Sequence, residues 1–258
     1  MRIATWNVNG IRAAVRKGMD EHLARISPDV LLLQEIRALP EQLPEPWRDP
    51  ADWSCLWHPA RKKGYAGTAV CARRELKEQG RGIDDDADPE GRVIVARVGP
   101  VRVLSVYLPS GSSGDHRQAE KERWLERFDE WSRPMLRSRI PTVMGGDFNI
   151  AHTARDLHYD KGNQKNSGFL PHERAWMGAL IDMGWCDVIR EAYGDREGPY
   201  SWWSNRGRAR ELDRGWRIDY LFMNKAARAR MTGCFIDRES GLGCSDHAMV
   251  VADLDLGA

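Results

Sequence analysis

Short apolar runs recur along the chain, and each stops at polar residues. Residues 3–6 (IATW) run into Asn7-Val8-Asn9-Gly10, residues 30–33 into Gln34-Glu35, and residues 101–106 into Tyr107 and a Pro/Ser/Gly turn. Residues 141–144 run into Gly145-Gly146-Asp147-Phe148-Asn149, and 218–223 and 249–256 complete the series. Runs of about four to eight residues, rich in Val, Ile and Leu and bounded by turn formers, predict buried strands. Between them lie helical periods. Residues 19–26 predict a helix stopped by Ser27-Pro28. Residues 117–136 carry Trp124, Leu125, Phe128 and Trp131 at spacings of three and four, and 171–183 place Trp176, Leu180 and Met183 on one stripe. Strands alternating with helices predict a layered α/β fold. No repeat at a period of about 20–50 residues and no linker divides the chain, so residues 1–258 read as one domain.

Composition narrows the class. Among 258 residues, 39 Lys+Arg meet 38 Asp+Glu for a net charge of +1, which excludes a histone-like basic surface and an acidic disordered tail. With 41% hydrophobic residues the chain can fill a substantial core, and 11 Trp leave some rings over for stacking on a ligand. Five Cys without a CxxC pair or zinc spacing predict reduced thiols. The N-terminus lacks a signal-peptide stretch, and the longest apolar run, 248–252, falls far short of the roughly 20 residues of a membrane span. A cytoplasmic protein without a membrane partner is expected. Residues 61–74 hold five cations and no acid, a phosphate-facing edge or a soluble hairpin. The acidic run 84–88 lacks the spacing of a calcium loop and reads as a solvated turn.

The chemistry gathers where the strands stop. In layered α/β proteins strand ends are where ligands meet the chain. Those ends supply Asn7, Asn9, Glu35, Tyr107, Asp147 and Asn149, and later Asp219 and the Ser245-Asp246-His247 turn. Each motif alone is weak; a buried Glu after Leu-Leu-Leu-Gln is less easily dismissed, because an unpaired carboxylate there is costly. Hard oxygens of Glu35, Asp147, Asp246 and the three Asn suit Mg²⁺ or Mn²⁺ rather than zinc. A His oriented by an Asp adds a cation or proton donor, and together the parts fit hydrolysis of a phosphate ester by water. No GxSxG elbow, P-loop or GxGxxG competes with that reading. Neighbours entering a strand point opposite ways, so Asp246 and His247 cannot form a dyad; Asp219 is the better partner for His247.

A second signal lies in YSWWSNRGRARELDRGWRIDY at 200–220. Trp202, Trp203 and Trp216 stand among Arg206, Arg208, Arg210, Arg214 and Arg217, a pattern suited to phosphate contact with base or sugar stacking. One of Trp202 and Trp203 is expected in the core and the other toward substrate. Arg206, Arg208 and Arg217, with Arg37 and Lys63, are the candidate DNA-binding cations.

At this point the motifs WNVNGIRA (6–13), LLLQEIR (31–37), GYAGTAV (64–70), EGRVIVA (90–96), YLPSG (107–111), GGDFNIAH (145–152), FLPHERAWM (169–177), GWRIDYLF (215–222) and SDHAMVV (245–251) resemble, in order and spacing, the exonuclease III family of abasic-site endonucleases. That family lies within the endonuclease/exonuclease/phosphatase superfamily. The resemblance implies a four-layer α/β sandwich with two central mixed sheets flanked by helices. It implies Mg²⁺-dependent incision of duplex DNA 5′ to abasic sites, with 3′→5′ exonuclease and 3′-phosphodiesterase or phosphatase activity in some members. Its implied metal ligands are Glu35, Asn9, Asp246 and Asn7, with Asp147, Asn149 and His247 available to a second metal. Its implied catalytic set is Asp147 for the attacking water, Asn149, the phosphate-contacting Tyr107, and the pair Asp219 and His247. Trp216 and Trp202 match the aromatics that line the abasic-sugar pocket. The implied partners are duplex DNA with abasic sites or 3′ ends, and the implied state is a monomer.

The sequence departs from the family's pattern at Ser110, where animal members carry Asn, at Asn205 after the Trp pair, and in the charged stretch 210–213. These bear on the balance between endonuclease and exonuclease, not on the reaction type. Two other classes remain: a phosphatase or phosphodiesterase of the superfamily acting on inositol phosphates, sphingomyelin or nucleotides, and a DNA-damage binding module without turnover.

Overall fold

A computed structural model describes residues 1–83 and 88–257. Its strands are β1 (Arg2–Asn7), β2 (Val30–Gln34), β3 (Ser54–His58), β4 (Thr68–Ala72), β5 (Leu76–Arg81), β6 (Val93–Val98), β7 (Val101–Tyr107), β8 (Thr142–Asp147), β9 (Cys186–Asp187), β10 (Asp219–Met223), β11 (Met231–Asp237) and β12 (Met249–Leu254). They form two six-stranded sheets, ordered β11-β12-β1-β2-β4-β3 and β5-β6-β7-β8-β10-β9. Both are mixed: β1 runs parallel to β2 and β7 to β8, while the other pairings are antiparallel.

The strands explain the layers. Val, Ile and Leu at alternate positions give each sheet two apolar faces, as central strands require. Ile3, Leu32 and Val250 of one sheet meet Val103, Val143 and Leu221 of the other in a dry core between the sheets. The opposite parity faces helices: Trp6, Leu31 and Val251 pack with Met19 and Leu23 of the helix Met19–Ile26. Met144 and Phe222 pack with Phe128 and Leu180 of the helices Asp115–Leu136 and Pro171–Asp182. The expected four-layer sandwich is the observed one.

The same parity builds one polar end. Along β1 the inner positions read Ile3, Thr5, Asn7; along β7, Val103, Ser105, Tyr107; along β8, Val143, Gly145, Asp147. Between the sheets the apolar core gives way to Thr5, Gln34 and Ser105, with Gln34 Nε2 donating to Ser105 Oγ at 2.9 Å and to Thr5 Oγ1 at 3.0 Å. Beyond that layer stand Asn7, Tyr107, Asp147 and Asp219. Gly145 permits the approach: a Cβ there would lie 2.6 Å from Leu32 Cδ1 and 2.9 Å from Thr5 Cβ.

Several expectations are corrected. The cationic stretch 61–74 is not a continuous edge: it is the loop and second strand of the β3–β4 hairpin, with Arg61, Lys62, Lys63, Arg73 and Arg74 exposed on either side of the fully buried β4. The expectation of a solvated turn at the acidic run falls on residues that lie almost wholly outside those described. Residues 84–87 lie outside the described residues, while Asp88 accepts from the backbone N–H groups of Arg92 and Val93 and contacts His58 Nε2 at 3.2 Å. On the helix Pro171–Asp182 the fully covered stripe is Glu173, Met177 and Leu180, with Trp176 and Met183 only partly buried. The thiols are not all free: Cys55 and Cys71 stand opposite each other on β3 and β4 and form a disulfide. Among the described residues no helix is long and apolar enough to cross a membrane.

Candidate active site

Strand register sets the first three groups. Asp147 ends β8 directly opposite Tyr107 of the parallel β7 on one side and Asp219 of the antiparallel β10 on the other. Adjacent strands thus place a phenol and two carboxylates in one row on the inner face. From the facing sheet, Asn7 donates from Nδ2 to Asp147 Oδ2 and to Glu35 Oε1, both at 2.9 Å.

The turns after the strands repeat one local device. Asn9 N donates to Asn7 Oδ1 at 3.0 Å, and Asn149 N donates to Asp147 Oδ1 at 2.9 Å, so each Asx side chain caps the backbone two residues on. The turns place Asn9, Glu35, Arg37 and Asn149 in the left-handed region, with φ of 46°, 51°, 48° and 50°. For a non-glycine residue this costs about 1–3 kcal/mol, and such strain collects at functional sites. Lys121, fully buried, holds the Asn149 turn by donating to its carbonyl at 2.9 Å and to Glu173 at 2.6 Å.

Asp246 and His247 point apart. The Nδ1–H of His247 donates to Asp219 Oδ2 at 2.9 Å, and Ser201 Oγ donates to the same oxygen at 2.7 Å. Asp246 instead accepts from Asn9 Nδ2 at 2.8 Å and from the Trp202 indole N–H at 3.2 Å. Glu35, Asp147 and His247 bring their ligand atoms within 4.8 Å of one another. Arg37 is ion-paired with Glu35.

Burial and charge set protonation. Burial raises the Asp147 carboxyl; the His247 charge opposes this, Asp219 and Glu35 add to it, and the group rests at about 7. For His247 burial works against the imidazolium, but Asp219, Asp147 and Asp246 outweigh it and raise the group to about 10. Burial, with the charges of Glu35 and Asp147, pushes the Tyr107 phenol well above 10 and keeps it protonated. Asp246 is half-buried, which would raise it, yet the His247 charge and its Asn9 and Trp202 donors hold it below the usual carboxylate range.

These groups floor a cleft of about 880 Å³ whose walls include Trp202, Trp216, Arg206, Lys165 and Asn166. Trp202 and Trp216 meet edge to face at 6.3 Å, while Trp203 is fully buried. Of the candidate cations, Arg37 and Arg206 line the cleft. Arg208 is exposed and paired to Glu211, and Lys63 is exposed but outside the lining. Arg217 is not a DNA contact. It is fully buried and bound to Asp156 at 2.7 Å and Asp187 at 2.8 Å, which its place beside solvent-facing arginines concealed. Asn7 turns its amide nitrogen to the Glu35 and Asp147 carboxylates and its oxygen to the turn. Asn9 turns its amide nitrogen to Asp246.

The sequence reading missed Lys121 and Glu173. Both keep step with buried stripes, Lys121 with Trp124, Leu125 and Phe128, and Glu173 with Met177 and Leu180. A charge at a core position of a helix was the available signal. Lys165, Asn166 and Ser201 carried none.

Comparison with known proteins agrees with this geometry. A model of the endonuclease/exonuclease/phosphatase family matches residues 4–247. The chain is 36% identical to an exodeoxyribonuclease of Bacillus subtilis, covering 97% of this chain and 98% of that one. It is 34% identical to the DNA repair nuclease APEX1 of Danio rerio, over 97% and 81% of the two chains. Among solved structures, an AP endonuclease from Archaeoglobus fulgidus superposes with a TM-score of 0.90 at 26% identity, covering 99% of this chain and 100% of that one. A 3′-5′ exonuclease from Neisseria meningitidis superposes with 0.89 at 30% identity, with the same coverage.

Proposed function

Because the chain belongs to the endonuclease/exonuclease/phosphatase family, and within it to the exonuclease III family of abasic-site endonucleases, we propose that this DNA-repair nuclease uses Mg²⁺ to hydrolyse phosphodiester bonds of duplex DNA. It cuts 5′ to abasic sites and also works at 3′ ends, acting as a monomer through one catalytic domain. The observation that carries this reading is the row Tyr107, Asp147, Asp219 with His247 at the floor of a cleft walled by Trp202 and Trp216. Relatives support both substrates: solved structures include AP endonucleases and a Neisseria 3′ phosphatase bound to a product DNA hairpin.

The donor set fits a hard cation. Carboxylate oxygens dominate, no cysteine lines the cleft among the described residues, and the charges of Asp219 and Glu35, which add to burial in raising Asp147 to about 7, are a concentration of negative charge that a cation offsets. Glu35 and Asp246 are the residues to hold Mg²⁺, with Mn²⁺ able to replace it, and Asp147 is left beside them as the base. When bound, it supplies Lewis-acid stabilisation of the charge developing on the phosphate and the leaving oxygen.

The chain's own residues do the rest. Asp147, its oxygens held by Asn7 and the Asn149 N–H, takes a proton from the attacking water. Tyr107 stays a phenol and donates toward a phosphate oxygen. His247 stays an imidazolium beside Asp219, so it supplies charge where a second cation would stand. Trp202 and Trp216 enclose the base-less sugar, and Arg206 meets flanking phosphates. Incubation with a duplex carrying one abasic analogue, with Mg²⁺ and with EDTA, tests the reading. Faster turnover of small phosphoesters than of DNA would favour the phosphatase class instead.

A further inference from the structure

A wall of the cleft is bonded to its acidic floor. The Trp202 indole both lines the cleft and donates its N–H to Asp246 Oδ2 at 3.2 Å, while Asn9 donates to the other oxygen at 2.8 Å. The backbone around Trp202 is held in place. Trp202 and Trp216 exchange N–H···O bonds of 2.8 Å, Trp203 N donates to Asp246 O at 3.2 Å, and Ala248 N donates to Ser201 O at 2.7 Å. The segment is therefore stitched to the Trp216 strand on one side and to the Asp246 turn on the other. What remains adjustable is the side-chain torsion that aims the indole N–H.

We infer that Trp202 is a positioning residue for Asp246, coupling occupation of the DNA pocket to the affinity of the cation site. The inference rests on the functional reading above and concerns the regulation of the same site. A sugar seated against Trp202 and Trp216 fixes the ring, and the fixed N–H holds Asp246 in one rotamer with its remaining lone pairs free for a cation. Coupling of this kind is reciprocal: DNA must tighten the cation by the same factor by which the cation tightens DNA. A phenylalanine here would keep the ring and lose the donor, so the indole nitrogen is a separable part of the device.

The test compares wild type with Trp202→Phe, reading Mn²⁺ affinity by electron paramagnetic resonance with and without a duplex bearing an uncleavable abasic analogue. Loss of one hydrogen bond predicts Mn²⁺ binding weaker by about three- to tenfold and a smaller gain on adding DNA. DNA affinity in EDTA is read for both proteins, and the loss of Mn²⁺ affinity and of coupling should exceed any loss of DNA affinity, because the ring remains. Equal Mn²⁺ affinity and equal coupling in the two proteins would overturn the inference, as would a loss of coupling no larger than the loss of DNA affinity in EDTA. A measurement on the unaltered protein stands beside it. The Trp202 indole N–H resonance should shift as Mg²⁺ is added while that of Trp203, bonded to Asp213, should not. A still resonance at Mg²⁺ saturation would equally overturn it. If wild type binds neither cation nor abasic duplex, the failure belongs to the functional reading.

Discussion

His247 Nε2 and Asp147 Oδ2 face each other across 3.9 Å, too far for a hydrogen bond and close enough for one oxygen to touch both. On one side stands a carboxyl raised to about 7, on the other an imidazolium raised to about 10. Burial beside Asp219 separates the two roles: the base is ready near neutral pH while the cation stays charged. Replacing Asp219 by Asn removes the charge that keeps His247 protonated. We expect kcat to fall by about 10²–10³, with KM for abasic duplex changing far less, and the loss to deepen as pH rises. Steady-state kinetics between pH 6 and 9 check this; an unchanged profile would contradict the assignment.

Arg37 competes for the carboxylate assigned to the cation. Its ion pair with Glu35 must loosen when Mg²⁺ arrives, freeing the guanidinium for a phosphate. Arg37→Ala should therefore lower the Mg²⁺ concentration for half-maximal activity and raise KM for DNA. A titration of both ligands reads the two opposed shifts.

Arg217 acts on stability rather than on DNA. Removing it takes the guanidinium from the buried Asp187 and leaves Asp156 with Arg190 alone, and breaking such a buried pair typically costs about 3–5 kcal/mol. Arg217→Met should lower the midpoint of urea unfolding strongly, while DNA affinity of the folded protein at low temperature stays near wild type.

The same cluster predicts an acid limit. Burial would raise the Asp156 carboxyl, but the charges and hydrogen bonds of Arg217 and Arg190 hold it far below the ordinary range. A depressed folded-state pKa gives stability that is full above the unfolded value, near about 4, and is lost as pH falls toward the folded value. Unfolding free energy should drop with acid below about pH 5, and less steeply in Asp156→Asn, already weakened at neutral pH.

Gly145 is a test of the sheet spacing. Gly145→Ala places a methyl against Leu32 and Leu221 and should destabilise by about 1–3 kcal/mol through overpacking. Activity should fall with it, because the sheets part directly beneath Asp147.

Much of this was legible because it is local. The runs ending at Asn7, Gln34, Tyr107 and Asp147 are strands whose apolar parity is plain, and polar residues at their ends had to meet at one edge. The opposed directions of Asp246 and His247 follow from the two-residue period alone. Less legible were strands such as β5, whose Leu-Lys-Glu-Gln-Gly-Arg sequence is that of a charged edge, and β11, interrupted by Gly233. Arg217 misled for a different reason: its burial depends on Asp156 and Asp187, acids distant in the chain whose approach no local pattern encodes. Which end of the Asn7 and Asn9 amides faces a carboxylate was not legible either, because it is set only by the assembled site.

The central claim is metal-dependent hydrolysis of abasic duplex DNA by this cleft. The direct measurement is incision of a duplex with a single abasic analogue, beside a 3′-recessed duplex, in Mg²⁺ and in EDTA, for wild type and Asp147→Ala. The account predicts a single cut 5′ to the lesion in Mg²⁺, none in EDTA, and a rate at least about 10²-fold lower in the variant. Incision that survives EDTA, or an Asp147→Ala enzyme that cuts as fast as wild type, would contradict it.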